Sequence, residues 1–126
     1  MSSIIKDYQE FQKGTEVNDK FDLKYMAIGL AGEVGEVLNE IKKIERDDDN
    51  LLTPERKLKL KNELGDVLWY FFGLCNRLDY KVDDILKCNQ IKIGRKQNIS
   101  NQPLNRAAED DAEDVFGNYS QHRGCF

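Results

Sequence analysis

The stretch Leu30-Ala31-Gly32-Glu33-Val34-Gly35-Glu36-Val37-Leu38 returns thirty residues later as Leu60-Lys61-Asn62-Glu63-Leu64-Gly65-Asp66-Val67-Leu68. The copies share Leu, Glu, an aliphatic residue, Gly, an acid, Val and Leu at equivalent places. Around the first copy Met26, Leu30, Val34, Val37, Ile41 and Ile44 recur at helical spacing; around the second, Leu60, Leu64, Val67, Leu68, Phe71, Leu74 and Leu78 do the same. Two long helices follow, one over about residues 23–46 and one from Pro54 to about Leu78. Thr53 is suited to cap the second, and Pro54 to its first position, where a missing N–H has no helical partner to lose. A helix hairpin then brings the two copies together, and these two apolar stripes are the expected core.

At about 100° per residue, Glu33, Glu36 and Glu40 fall on one strip bordering the apolar face, and Glu63 and Asp66 do so on the second helix. Acids that only solvate a helix belong on the far side. Residues three apart on a helix have Cβ atoms about 5–6 Å from each other, so each copy forms a two-carboxylate claw. Four like charges in a small volume repel, and a hard divalent cation relieves that repulsion. Oxygen ligands without His or Cys point to Mg²⁺ or Mn²⁺ and against zinc or copper. A ferritin-like di-iron centre needs Glu-x-x-His pairs, and no histidine lies in a predicted helix. Mg²⁺ held by carboxylates is suited above all to phosphate chemistry. Gly35 and Gly65, each disfavoured within a helix by about 1 kcal/mol relative to Ala, suggest close helix approach or ligand access.

Outward from the hairpin, Ile4, Tyr8 and Phe11 predict a short amphipathic helix before Gly14. Asp47-Asp48-Asp49-Asn50 reads as a solvated connection, because the calcium-loop pattern with its Gly and terminal Glu is missing. The run Val67-Leu68-Trp69-Tyr70-Phe71-Phe72 is apolar nearly all round, which one small bundle covers poorly, and predicts a homodimer or a dimer of dimers. A last helix begins near Val82, with Asp83 and Asp84 in its first turn and Arg95 and Lys96 at its end, an arrangement that suits the helix dipole and a phosphate. The chain is expected to be all-α, a four-helix bundle-type domain over residues 1–96 followed by a polar, acidic tail over 97–126 that is weakly ordered or docked. His122, the one histidine, lies in that tail and carries no predicted role.

Nineteen basic against 23 acidic residues, a net charge of −4, leave no footprint for nucleic acid. No apolar run is long enough to span a bilayer and the N-terminus lacks a signal-peptide core, so no membrane partner and a cytoplasmic location are expected. The three cysteines are an odd number without CxxC spacing and indicate neither a disulfide framework nor a zinc site; Cys75 reads as a small core residue.

Glu33-x-x-Glu36 followed by Glu63-x-x-Asp66 resembles the signature of the MazG-like all-α nucleoside triphosphate pyrophosphohydrolases, relatives of the dimeric dUTPases and of phosphoribosyl-ATP pyrophosphohydrolase. The resemblance runs over about residues 5–96. Asp7-Tyr8-Gln9-Glu10-Phe11 is similar to the family's opening helix, and Gly29 to Glu36 and Glu63 to Tyr70 to its two central blocks. The resemblance implies Mg²⁺-dependent cleavage of an NTP or dNTP between the α- and β-phosphates, releasing a monophosphate and pyrophosphate. Glu33, Glu36, Glu63 and Asp66 would ligate the metal, one of them orienting the attacking water. Asn89 and Lys92 match the family's Asn-x-x-Lys and would bind the triphosphate, with Arg95 or Lys96 assisting and Lys43 a further candidate. Tyr70, one turn beyond Asp66, would line the nucleoside pocket, whereas Trp69 reads as core or interface. The competing readings are a nucleotide or metal sensor without turnover and a structural helical dimerisation module.

Overall fold

A computed structural model describes residues 3–16 and 21–96; the tail 97–126, with His122, lies outside the described residues. Four helices and no strand are found among them: α1 (Ile4–Thr15), α2 (Leu23–Asp47), α3 (Pro54–Arg77) and α4 (Val82–Lys96). The all-α expectation and the expected helix order hold. Gly14 does not end α1, which runs one residue past it to Thr15.

Each of the first three helices starts on a side-chain cap that accepts from an otherwise unpaired N–H. Ser3 takes the Lys6 amide at 3.3 Å, Asp22 the Tyr25 amide at 2.8 Å and Thr53 the Arg56 amide at 3.3 Å, with Pro54 at the first helical position. The α2–α3 connection turns through Asp49 and Asn50, at φ 52° and 62°, a left-handed conformation that Asp and Asn tolerate better than most residues. The Asn50 amide donates to the Ile44 carbonyl at 3.1 Å and so closes the end of α2.

The described residues fall into two units, α1 to α3 within residues 1–80, and α4 within the unit that begins at Lys81. In the first, α3 packs against both α2 and α1. Antiparallel pairing of α2 and α3 sets Met26 against Gly73, Gly29 against Tyr70 and Glu33 against Asp66, pairs whose residue numbers each add to 99. Two of these rungs place a large side chain on a glycine, once from each helix. A Cβ on Gly73 would lie closer than 3.0 Å to Met26 and to Gln12, and one on Gly29 closer than 3.0 Å to the Tyr70 ring. Close approach therefore occurs at Gly29 and Gly73. At Gly35 and Gly65, where the sequence suggested it, a Cβ would meet nothing within 4 Å, because both sit off the seam.

α1 is tied to α3 through polar groups. Gln12, fully buried, accepts from Asn76 Nδ2 at 2.7 Å and donates to Glu16 at 3.0 Å. Asn76 also donates to the Gln9 carbonyl at 3.1 Å and accepts from Gln9 Nε2 at 2.8 Å. Trp69 Nε1 donates to Thr15 Oγ1 at 2.9 Å, and Tyr8 packs edge-on against Phe72 at 4.8 Å between centroids.

The apolar core of this unit is narrower than the two stripes predicted. Met26, Phe72 and Cys75 are buried, but Val34, Ile41, Leu64, Leu68 and Leu78 remain more than 40% exposed. A hairpin seam covers only part of a broad apolar stripe, and the rest of each stripe faces away from it. In α4, Val82 is buried.

Candidate active site

The α2–α3 seam places three carboxylates together: one oxygen each from Glu33, Glu63 and Asp66, all within 4.8 Å of one another. Glu33 and Glu63 are half-buried and Asp66 is exposed, so the group is rooted in the hairpin and open on one side. Burial pushes the Glu33 carboxyl above its usual range, and the charges of Asp66, Glu63 and Glu36 add to the effect. Burial and neighbouring like charges both disfavour the ionised form of a carboxyl group. Glu36, the fourth acid of the expected pair of claws, is exposed and stands outside the group of three, although near enough for its charge to act on Glu33.

The donor set fits a hard divalent cation. Three carboxylates offer oxygen only, exposed Asp66 leaves the group within reach of solvent, and no His or Cys joins the group among the described residues.

Tyr70 lies half-buried beside the cluster. Burial raises its hydroxyl pKa, a hydrogen bond with Tyr25 adds to the rise, and so do the charges of Glu33 and Asp66. Tyr8, from α1, also has its pKa raised, by burial and then by the charge of Asp66. The sequence reading gave Tyr8 no place at the site, because the packing of α1 on α3 is a tertiary fact; the adjacent Gln9, bonded to Asn76, fixes which way that part of α1 turns.

Glu40 shared the acidic strip with Glu33 in the helical count, yet its role differs. It is 6% exposed and both oxygens are engaged, Oε1 by Lys43 at 2.6 Å and Oε2 by Arg56 at 3.2 Å. Arg56 further donates to Asp48 at 2.7 Å and approaches Asp47 to 3.7 Å. The Lys43 ammonium is thus set against Glu40, and part of the triple-aspartate connection that read as solvated is tied to Arg56. On α4, Asn89, Lys92 and Arg95 follow one another at three-residue intervals and all are exposed.

Comparison with known proteins supplies an independent line. The profile of the MazG nucleotide pyrophosphohydrolase domain matches residues 21–99, more than half of the 126-residue chain. A curated protein, the Gene 37 protein of Mycobacterium phage L5, is 44% identical over 71 residues, which cover 56% of this chain. The chain spans 62% of that protein's length. No solved structure matches.

Proposed function

Since the chain belongs to the MazG nucleotide pyrophosphohydrolase family by the match over residues 21–99, we propose that it hydrolyses an NTP or dNTP between the α- and β-phosphates. The products are the monophosphate and pyrophosphate, and the purpose is removal of unwanted nucleotides from the pool in the cytoplasm. The observation that carries this reading is the three-carboxylate group of Glu33, Glu63 and Asp66, held by two helices and open to solvent on one side.

Glu33, Glu63, Asp66 and, one turn along α2, Glu36 would hold Mg²⁺, or Mn²⁺ in its place. When bound, the ion neutralises triphosphate charge and activates water. The chain's own share is positional. Two rigid helices fix the oxygens before substrate arrives, so little reorganisation is left for the reaction itself. Glu36, exposed beside the group, is the acid best placed to orient the attacking water, and Tyr70 flanks the site as a nucleoside wall. Asn89, Lys92 and Arg95 are the triphosphate ligands implied by the family pattern on α4. Lys43 joins them only if it leaves Glu40.

A homodimer or homotetramer is part of the proposal. Ile28 and Leu38, at 63% and 61% exposed, together with Ile41, Leu64 and Leu68, leave apolar surface that a second copy would bury. Among the described residues no helix is long and apolar enough to cross a membrane.

The decisive experiment incubates the purified protein with each NTP and dNTP and Mg²⁺, and resolves the products. Monophosphate with pyrophosphate is expected. Diphosphate with orthophosphate, or no turnover of any nucleotide, would overturn the reading.

A further inference from the structure

Gly29 stands one helical turn before Glu33 on α2, opposite Tyr70 on α3. A side chain there is excluded by one neighbour. Its Cβ would fall within 3.0 Å of Cε1, Cδ1 and Cζ of Tyr70, nearest first, so one edge of the ring lies directly over the glycine backbone. The contrast with other α2 glycines is sharp: at Gly32 and Gly35 a Cβ would meet nothing within 4 Å. Only one glycine of this helix is needed for packing, and what it packs is the aromatic ring beside the carboxylates.

The ring has a second aromatic neighbour. Trp69 meets it edge-on at 5.0 Å between centroids. The ring therefore packs against Gly29, one turn from Glu33 on α2, while Tyr70 itself lies one turn from Asp66 on α3. A methyl group at position 29 would force the ring to leave this position.

We propose that Gly29 is a positioning residue for nucleotide binding: by lacking a side chain it seats Tyr70 against α2, so that the phenol forms a fixed wall beside the Glu33–Glu63–Asp66 group for the nucleoside of a triphosphate. It touches neither metal nor substrate and acts through Tyr70 alone. The inference rests on the reading of the carboxylate group as a nucleotide pyrophosphohydrolase site.

The test compares wild type, Gly29→Ala, Tyr70→Ala and the double variant. Three quantities are followed: kcat and KM for the preferred nucleotide, and Kd for the α,β-imido analogues of the dNTPs, which bind without turnover. Gly29→Ala is expected to raise KM and the analogue Kd roughly tenfold, with a much smaller effect on kcat, the pattern of lost uniform binding. In the Tyr70→Ala background the same change should be silent, because the methyl then has room, and thermal stability should recover alongside. A structural role alone would lower stability without splitting KM from kcat. An unchanged Kd in Gly29→Ala, or effects that simply add in the double variant, would overturn the proposal. If Gly29→Ala does not fold, the double variant against Tyr70→Ala still decides: equal Kd supports the proposal and unequal Kd overturns it. Wild type that binds analogue but never releases pyrophosphate defeats the hydrolase reading and leaves the Kd comparison to judge Gly29. Wild type that neither binds nor hydrolyses defeats both.

Discussion

Arg56 of α3 donates through Nη1 to Oε2 of the buried Glu40 of α2 at 3.2 Å, while Lys43 takes the other oxygen. The Lys43 hydrogen bond is the main cause that holds the Glu40 carboxyl below its usual value of 4.5, with Arg56 assisting, against the opposing effect of burial. A carboxylate whose folded pKa is depressed contributes stability that is present above the unfolded value and lost as pH falls through the folded one. Wild type should therefore exceed Glu40→Gln in stability at pH 7. The gap should close steadily as pH falls below about 4.5, where Glu40 in the unfolded chain is protonated first. Urea midpoints of the two proteins at pH 7 and in acid check this; a gap independent of pH would show that charge at Glu40 is not what matters.

Mg²⁺ should raise the melting temperature of the wild-type protein. At a metal concentration one hundred times Kd, binding to the folded form alone contributes about 2.7 kcal/mol. Glu33→Gln and Asp66→Asn should each remove most of that shift without lowering helix content in circular dichroism. Activity should fall by more than about 100-fold in both, since partners of metal ligands alone are worth about 10–100-fold. The same loss is expected for Glu36→Gln, despite its place outside the group of three.

The glycines divide into two classes by their surroundings. Gly73→Ala drives a methyl into Met26 and Gln12, both fully buried, and should destabilise by about 1–3 kcal/mol through overpacking. Gly35→Ala and Gly65→Ala meet open space and should each stabilise the helix by about 0.5–1 kcal/mol. Denaturant unfolding of the three variants separates the classes by sign.

Asn76→Ala removes the donor to Gln12 Oε1 and leaves that oxygen buried without its partner. A loss of about 1–3 kcal/mol is expected. Hydrogen exchange should report it first in α1, whose amides would lose protection before those of α2 and α3. Uniform loss across all three helices would mean that α1 does not open separately.

Much of this was legible in the chain itself. The apolar spacing, the Thr53-Pro54 start and the turn at Asp49 and Asn50 are local signals, and they sufficed for four helices in the right places. The doubled acid motif named the three acids that the seam brings together, and Glu36 besides, because helical phase is local too. What sequence could not supply was partner choice across the hairpin. Glu33 and Glu40 occupy the same strip in the helical count, yet one meets Asp66 and the other Arg56, and only the antiparallel register separates them. The same holds for the glycines: cost within a helix identifies all of them equally, and only the facing residue distinguishes Gly29 and Gly73 from Gly35 and Gly65. The breadth of the apolar stripes likewise overstated the core, since periodicity says which side is greasy and not how much of it one neighbour covers.

The two glycine seats also act as a check on misassembly. Slide α3 along α2 by one residue and Met26 and Tyr70 would each meet a side chain where a bare backbone is needed, while an acid turns about 100° off the seam. Steric exclusion at two places, one from each helix, thus denies the hairpin its nearest wrong alignments. The alignment that these seats enforce is also the one that gathers the Glu33, Glu63 and Asp66 oxygens within 4.8 Å of one another, so a single register sets both the steric fit and the crowding of charge.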